Sequence, residues 1–245
     1  MATKTLLIID PQNDFVLPDG ALSVAGAVED MQRLIPLLDD YDKIVLTLDS
    51  HAVGHIATPV YWHDANGNQP QPFTLISYED VANGHWMTDD KNAAGYLKEL
   101  ESRGKKHTIW PEHCVYGTFG WQPYAPLKAA IDKWLYFGGK KLAVHLKGRD
   151  KSTEMFSAVL PVVASSAQNK YDAHRFLDLL QGDSIAVAGE ADNICVRETV
   201  ADIIRYAPEL AAKLQILRGC MSIIPMDDGI EEFWESTKAK GVSII

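Results

Sequence analysis

The sequence has 245 residues, of which 47% are hydrophobic and 23% charged, a composition typical of a globular domain with a sizeable buried core. Its formal net charge of −10 argues against binding to a nucleic-acid backbone or to an anionic membrane surface, because both partners require clustered Lys and Arg. The composition therefore excludes nucleic acid and membrane as expected partners and favours a small-molecule substrate.

The cysteine content and the hydropathy of the chain bear on its compartment. The three cysteines, Cys114, Cys195 and Cys220, are an odd number and too few for a disulfide framework, which suits a reducing environment. The apolar run before Asp10 is too short for a signal-peptide core, and no run approaches the roughly 20 apolar residues of a membrane span. We therefore expect a cytoplasmic protein.

Short apolar runs predict the strands of a parallel sheet. They have the length and the β-branched composition of strands that are buried on both faces. Five such runs lie at residues 5–9, 43–48, 142–146, 184–188 and 214–217, and residues 242–245 are a candidate for a sixth.

Segments with a helical spacing of apolar residues lie between these runs. They cover residues 28–38, 127–134, 176–180, 195–206 and 230–239. Strands that alternate with helices predict an α/β fold, namely a doubly wound, mostly parallel six-stranded sheet with helices on both faces.

A region at about residues 52–109 interrupts this alternation. It is rich in His, Asn, Gly, Pro and Trp and has weak periodicity except near residues 93–100. We interpret it as a long inserted loop region within a single domain of residues 1–245. Loops of this length in compact domains usually form a lid or a binding wall, and an ordinary surface elaboration is the alternative.

Four of the predicted strands end in residues with reactive side chains. Ligands of open α/β sheets bind beyond the carboxyl ends of the strands, so these residues are candidates for a shared site. In chain order they are Asp10, then Asp49 and His51, then Lys147, and finally Cys195. Each alone has an ordinary alternative, since a carboxylate after a strand is commonly a helix cap and a lone cysteine is commonly a small core residue. Their coincidence at one edge of one sheet favours an active site.

Cys195 lies where a strand is expected to give way to a helix. Backbone amides and the helix dipole at such a position lower the pKa of a thiol below its free value of about 8.5. We expect Lys147, from the neighbouring strand, to hold the resulting thiolate, and Asp10 to accept the thiol proton and return it to a leaving amine. The pattern predicts a nucleophile and a base without a histidine.

The segment 49–55 offers a candidate metal site. Asp49, His51 and His55 place a carboxylate and two imidazoles close together in sequence, and such a set can close on one divalent cation. His113 lies beyond the inserted region and is a further candidate ligand if that region folds back. Spacing alone does not separate it from three other histidines: His63, His85 and His107.

Sequence motifs at the same strand ends carry a resemblance to a known family. The motifs are LLIIDPQNDF at 6–15 with GALSV at 20–24, TLDSHAVGH at 47–55, WPEHCVYGTFG at 110–120, HLKG at 145–148 and GEADNICVRETVADI at 189–203. With them the chain resembles the isochorismatase-like cysteine hydrolases, and within these the nicotinamidases. The resemblance runs from near residue 5 to about residue 205 and is weakest in the inserted region.

The resemblance implies catalytic roles at the motif positions. It makes Cys195 the nucleophile, Asp10 the proton acceptor and Lys147 the cation beside both. It also implies a cis peptide bond between Glu190 and Ala191, with the amides of Ala191 and Cys195 forming an oxyanion hole.

The resemblance further implies a metal site and a substrate pocket. A divalent metal would be bound by Asp49, His51 and His113, with His55 as a ligand or a near neighbour. The implied pocket residues are Phe15 and Trp110, whose rings would enclose an aromatic substrate, and Phe156, at a position where tyrosine is frequent.

The function implied by the resemblance is hydrolysis of a small heteroaromatic amide, with conversion of nicotinamide to nicotinate and ammonia as the expected reaction. A thioester at Cys195, a divalent zinc, manganese or iron ion as cofactor and a homo-oligomeric assembly go with that expectation. Two residues depart from the family pattern: Ser50 stands where tryptophan is common, and Glu190 stands where a hydrophobic residue is common. These departures leave the substrate open, so a hydrolase of another small amide, or of a ureido or carbamoyl compound, is an alternative. A non-catalytic binding protein on the same fold is a further alternative, which the presence of Cys195 disfavours.

Overall fold

The computed structural model describes residues 2–136, 139–163, 173–226 and 229–245. The strands in chain order are β1 (Lys4–Ile9), β2 (Lys43–Asp49), β3 (Leu75–Ile76), β4 (His107–Thr108), β5 (Lys141–Lys147), β6 (Ser184–Gly189), β7 (Leu214–Ile216) and β8 (Ser243–Ile244). The α-helices are α1 (Asn13–Val16), α2 (Ala27–Leu34), α3 (Tyr78–Ala82), α4 (Ala93–Ser102), α5 (Ala125–Tyr136), α6 (Ala173–Leu177), α7 (Arg197–Tyr206) and α8 (Ile230–Lys238).

Six of the strands form one parallel sheet in the order β5-β2-β1-β6-β7-β8. The central strand β1 shows why both faces of the sheet must be covered. Its side chains alternate between two apolar clusters, with Leu6 and Ile8 in one and Leu7 and Ile9 in the other. The predicted doubly wound parallel α/β fold is confirmed.

Amphipathic helices cover the two faces. On the first face, α2 contributes Met31 and Leu34, and α5 contributes Leu127, Ile131 and Trp134. On the opposite face, the buried helical side chains include Phe176 from α6, Val200 and Ile203 from α7, and Trp234 from α8. Each such apolar side chain stabilises the fold by roughly 1.5–3 kcal/mol through removal from water.

The helix boundaries differ from the predicted ones at three places. α2 ends at Leu34 and is followed by a 3₁₀ turn, Ile35–Asp40, because Pro36 lacks the N–H that an α-helix needs there. The helix predicted at 176–180 lies earlier in the chain, as α6, Ala173–Leu177. The helix expected from Cys195 onward begins as one π-helical turn, Asp192–Val196, and becomes α-helical only in α7.

The region between β2 and α5 contains regular structure of its own. β3 and β4 pair as a short antiparallel ribbon, and α3 and α4 lie between them in sequence. Its side chains form a third apolar cluster, in which Trp62, Leu97 and Ile109 are fully or almost fully buried. Among the described residues, no helix is both long enough and apolar enough to cross a membrane.

Candidate active site

Four chain segments deliver reactive side chains to one edge of the main sheet. Asp10 directly follows β1, while Asp49 and Lys147 are the last residues of β2 and β5 and are paired in register. Cys195 lies in the π-helical turn that follows β6. The fold thus brings together the strand ends that the sequence singled out, as parallel strands must.

The first group of side chains consists of Asp10, Lys147 and Cys195, and Lys147 contacts the other two. Its Nζ lies 2.9 Å from Asp10 Oδ2 and donates to Cys195 Sγ at 3.5 Å and to the carbonyl oxygen of Met155 at 3.1 Å. Thr47 fixes the acid from the other side, because its hydroxyl donates to Asp10 Oδ1 at 2.6 Å and accepts from the Asp10 N–H at 3.0 Å. Asp10, Lys147 and Cys195 are all buried. The three side chains form one contiguous, desolvated unit.

Burial sets the protonation of this unit. It raises the pKa of Cys195 well above its ordinary value, reinforced by the charges of Asp10 and Asp49 and by the hydrogen bond to Asp10, although Lys147 opposes the shift. The predicted lowering of the thiol pKa is therefore wrong, since desolvation outweighs the strand-to-helix geometry. Burial also raises the pKa of Asp10. Although burial lowers the pKa of Lys147, the charges of Asp10 and Asp49 raise it well above its ordinary value.

The directions of these pKa shifts define which members of the group carry a proton before substrate binds. The thiol is neutral, the ammonium is charged, and the carboxylate is a stronger base than a solvated aspartate. Asp10 and Cys195 both contact the Lys147 ammonium, at 2.9 and 3.5 Å. Asp10 is therefore placed to take the thiol proton as the sulfur attacks, which is the arrangement that base-assisted nucleophilic catalysis requires.

The loop before Cys195 carries a backbone donor, the Ala191 N–H, and Ala191 lines the same cavity as Cys195. The peptide bond between Glu190 and Ala191 is cis, as predicted. Ala191 is buried, and its N–H has no acceptor among the described residues. An unpaired buried amide beside a nucleophile is the feature that an oxyanion hole requires.

The second group, Asp49, His51 and His113, lies next to the first. His51 Nε2 is 3.3 Å from Asp49 Oδ1, and His113 Nε2 is 3.6 Å from Asp49 Oδ2. The other ring nitrogens donate to backbone carbonyls, His51 Nδ1 to His113 at 3.2 Å and His113 Nδ1 to Pro111 at 2.7 Å. These bonds turn both Nε2 atoms toward the carboxylate, as is usual for metal-binding histidines.

Unsatisfied polar atoms test whether this group suits a cation. Asp49 Oδ1 and His51 Nε2 are buried and have no hydrogen-bond partner among the described residues. The ligand atoms of Asp49, His51 and His113 all lie within 4.8 Å of one another. A divalent ion would satisfy these atoms, and the mixed nitrogen and oxygen donors suit zinc, manganese or iron.

His55 and Glu154 lie beside this cluster in different ways. The ring of His55 stacks on His51 at 4.3 Å, but its nitrogens already have backbone partners, the Thr153 carbonyl at 3.0 Å and the Ala57 N–H at 3.3 Å. Glu154 Oε1 is 3.9 Å from His51 Nε2, and its buried Oε2 has no partner within the described part of the chain. The geometry favours His55 as a supporting neighbour and adds Glu154, which the sequence reasoning missed.

A cavity beside Cys195 is the space available to a substrate. Its walls include the three aromatic residues implied by the resemblance, Phe15, Trp110 and Phe156. Asp49, His113, Glu154, Ala191 and Cys195 complete its polar side. The Trp110 and Phe156 rings meet edge to face with centroids 6.3 Å apart. Cys195 and Asp49 both line this cavity, so the thiol and the Asp49 group border one space between the aromatic side chains.

Comparisons with known proteins agree with this geometry. No family model matches the chain. The nicotinamidase of Saccharomyces cerevisiae is 27% identical over 251 residues, which cover 99% of this chain and 99% of that protein. The chain is similar to nicotinamidases over nearly its whole length. The structure of the yeast nicotinamidase bound to the inhibitor nicotinaldehyde has a TM-score of 0.68 and 24% identity, with 99% of both chains covered. The pyrazinamidase of Pyrococcus horikoshii in complex with zinc has a TM-score of 0.58 and 19% identity, with 99% of this chain and 98% of that chain covered.

Two positions where this chain departs from the residues that are common in the family it resembles are buried beside the site. Ser50 accepts a hydrogen bond from the indole Nε1 of Trp121 at 2.9 Å and donates to the Leu48 carbonyl at 2.9 Å. The indole of Trp121, from another segment of the chain, therefore contacts Ser50, at whose position tryptophan is common. Glu190 is fully buried next to the Ala191 amide.

Proposed function

We propose that this chain hydrolyses nicotinamide to nicotinate and ammonia through a thioester at Cys195. The observation that carries the proposal is the contact of one buried ammonium, Lys147 Nζ, with both the Asp10 carboxylate and the sulfur of Cys195, which lines a cavity with aromatic walls. The similarity to curated nicotinamidases supports the same reaction.

In the first half of the reaction, the sulfur of Cys195 attacks the amide carbonyl carbon while Asp10 accepts the thiol proton. The developing oxyanion is stabilised by the Ala191 and Cys195 amides. Collapse of the intermediate breaks the carbon–nitrogen bond, and Asp10 gives its proton to the leaving nitrogen, which departs as ammonia. Lys147 stabilises the negative charge that passes between sulfur and carboxylate.

In the second half, a water molecule replaces ammonia as the partner of Asp10. The carboxylate removes a proton from the water as its oxygen attacks the thioester carbonyl carbon. The carbon–sulfur bond then breaks, Cys195 recovers a proton from Asp10, and the product acid leaves and loses its remaining proton to solvent as nicotinate. The acid and the thiol return to their starting forms, so the cycle consumes one water for each amide hydrolysed.

The second group is proposed to place the substrate ring. Asp49, His51 and His113 would hold a divalent cation, with His55 and Glu154 beside them, and the ion's contribution when bound is to coordinate a ring heteroatom. Phe15, Trp110 and Phe156 would enclose the ring and keep water from its faces. A pyridine carboxamide fits a site that has a metal group and a separate nucleophile, because its ring heteroatom and its amide lie at different positions of one small ring.

An ammonia-release assay tests the proposal. We expect turnover of nicotinamide and pyrazinamide in protein supplied with zinc, manganese or iron, and none in Cys195→Ala protein prepared in the same way. Ureido and carbamoyl compounds, assayed alongside for ammonia and carbon dioxide, are expected to react poorly, because they lack an aromatic ring to occupy the cavity. Faster hydrolysis of a ureido compound than of nicotinamide would replace the proposed substrate class.

A second measurement separates an enzyme from a binding protein on the same fold. Both thiols are buried and burial raises the pKa of both, but only Cys195 lines the cavity and has Asp10 as a base. Cys195 should therefore react with iodoacetamide faster than Cys114. Equal rates at the two thiols, together with no ammonia from any amide, would contradict an enzymatic function.

A further inference from the structure

A second buried acid group holds the loop that carries Ala191. Glu190, the residue before Ala191, is fully buried, and Asp30 on α2 is 1% exposed. Ser222 brings the two carboxyl groups together, because its N–H donates to Glu190 Oε2 at 3.2 Å and its hydroxyl donates to Asp30 Oδ2. Two ionised carboxylates held by one serine in a buried site repel each other, so this pair favours a proton on one of the two acids.

The hydrogen bonds to the two acids indicate that the proton is on Glu190 and not on Asp30. Asp30 already receives donors on both oxygens, from Arg33 Nη2 on Oδ1 and from the Ser222 hydroxyl on Oδ2. Glu190 Oε2 accepts from the Ser222 N–H at 3.2 Å, whereas Oε1 is buried without a donor among the described residues. A proton on Glu190 turns this orphaned oxygen into a donor toward Asp30.

The same group is tied to the candidate oxyanion hole through Ser222. The Ser222 N–H donates to the Glu190 carboxyl, and the Ser222 carbonyl accepts from the Asp192 N–H at 2.8 Å. Ala191 lies between these two attachment points. Its amide can therefore turn only if one of the bonds to Ser222 breaks.

We propose that Glu190, protonated and hydrogen bonded to Asp30, is a positioning residue that fixes the Ala191 amide, and that loss of this proton lowers turnover at alkaline pH. The turnover part of the inference rests on the proposed amidase function. Its protonation part concerns the folded protein alone and is measurable without any substrate.

The charges around the pair determine the sign of the pH effect. Burial first, and then the charge of Asp30, raise the pKa of Glu190 well above its ordinary value, and Asp192 adds to the shift. Arg33 pairs with Asp30, Arg218 pairs with Asp192, and the buried thiol of Cys220 also lies near the acids. Neither arginine forms an ion pair with Glu190 itself in the part of the chain that the structure describes.

Above the ordinary pKa of glutamate, the folded protein holds one more proton at this site than the unfolded chain does. The stabilisation is therefore complete below that ordinary pKa. It decreases as pH rises toward and through the raised pKa of folded Glu190. Ionised Glu190 would face the Asp30 carboxylate, and we expect the resulting repulsion to loosen the bond to Ser222 and release the Ala191 loop.

Glu190→Gln is the decisive variant. Its amide NH₂ can donate to Asp30 and its carbonyl can accept from the Ser222 N–H, so it imitates the protonated acid at every pH. We expect kcat within about threefold of wild type at neutral pH, an alkaline limb displaced to higher pH, and a Tm that falls less with pH than that of the wild type. Glu190→Ala should lower kcat by roughly tenfold to a hundredfold with little change in KM, because it frees the loop without altering the ring pocket.

Glu29→Gln is the matched control, since Glu29 precedes Asp30 on α2 but is exposed. It should keep the wild-type pH profile of kcat and of Tm. Infrared difference spectra between wild type and Glu190→Gln provide the direct readout, namely loss of a protonated carboxylic acid band at neutral pH. A missing acid band, or the same alkaline limb in wild type and Glu190→Gln, would overturn the inference. A wild type that hydrolyses no amide would refute the proposed function, and the infrared band and the Tm slope would still decide the protonation of Glu190.

Discussion

The two halves of the candidate site are both buried at the same sheet edge, but they differ in how their charges are matched. In the nucleophile half, Lys147 lies 2.9 Å from Asp10 and the chain itself supplies both signs of charge. In the metal half, His51 Nε2 and His113 Nε2 lie 3.3 and 3.6 Å from the oxygens of one carboxylate, Asp49, and His51 Nε2 has no hydrogen-bond partner among the described residues. The nucleophile half therefore contains its own cation, whereas the metal half is a candidate site for an added one. Lys147 also lies 3.3 Å from Asp49, which makes it the contact between the halves.

Removing the nucleophile should have the largest effect and leave the metal half intact. Cys195→Ala is expected to lower turnover by roughly 10³-fold or more while Tm and zinc content stay near wild type, because only the sulfur is removed. Cys195→Ser should be nearly as inactive, since Asp10 is matched to a thiol and not to a much weaker acid. The measurements are ammonia release, thermal unfolding and metal analysis. Retention of a tenth of the wild-type turnover in either variant would rule out the covalent mechanism.

The nucleophile half should also behave as one unit. Asp10→Asn and Lys147→Met are each expected to reduce kcat by roughly 10²-fold or more, and the double variant should be scarcely slower than the slower single one. Lys147→Met keeps much of the buried side-chain volume, and Tm should be recorded because an unpaired buried carboxylate destabilises the fold. If the two losses multiply, the residues do not serve the same nucleophile.

Stripping the metal should distinguish the halves most directly. Chelator-treated protein and the variants His51→Ala and His113→Ala are expected to show KM raised by about tenfold or more, because ring positioning is lost. The rate of Cys195 alkylation should change by less than about threefold, since the thiol and its base are untouched. Parallel KM and alkylation measurements test this, with metal content as the control. An unchanged KM after stripping, or full metal occupancy in His113→Ala, would mean that the histidines do not form a substrate-binding metal site.

Thr47→Val tests the support of the base and should have the smallest effect. Valine removes the hydroxyl that donates to Asp10 Oδ1 at 2.6 Å, so we expect kcat to fall by roughly tenfold with KM unchanged. Thr5→Val is the matched control, because Thr5 is equally buried in the same sheet but donates to the distant Gln181 carbonyl. Steady-state kinetics and Tm of both variants give the answer. Equal kcat values in the two variants would show that Asp10 needs no fixed orientation.

Much of the fold could be predicted because its signals are local. The run at 184–188 becomes β6, Ser184–Gly189, with one extra residue at its end, since a strand buried between two layers must be apolar throughout. β3 and β4 were not predicted, because each has only two residues and no periodicity is visible at that length. The spacing of apolar residues also does not predict the π-helical turn at Cys195.

The candidate site was predictable only in part, because long-range contacts assemble it. His113 reaches His51 through a backbone bond from the His51 N–H to the Cys114 carbonyl at 3.0 Å, which spacing does not reveal. His107, an equal candidate by sequence, instead donates to the Ile56 carbonyl at 3.0 Å within the third apolar cluster. Glu154 was missed because it lies in the loop beyond β5 and not at the strand end. The pKa direction of Cys195 was wrong because desolvation depends on the complete fold.

The region at 52–109 begins next to His51 and ends next to Trp110, so both of its ends adjoin the site while its middle lies outside it. An exposed turn in that middle is held locally, since the Asp64 carboxylate accepts from the N–H groups of Asn66 and Asn68, and Gly67 adopts a φ of 82° that few other residues tolerate. Residues added or removed at this turn would be absorbed on the surface, because the apolar cluster beneath keeps the two ends in place. The chain therefore has a site for insertions or a label, at which its outer surface can change while the spacing of the candidate metal ligands is maintained.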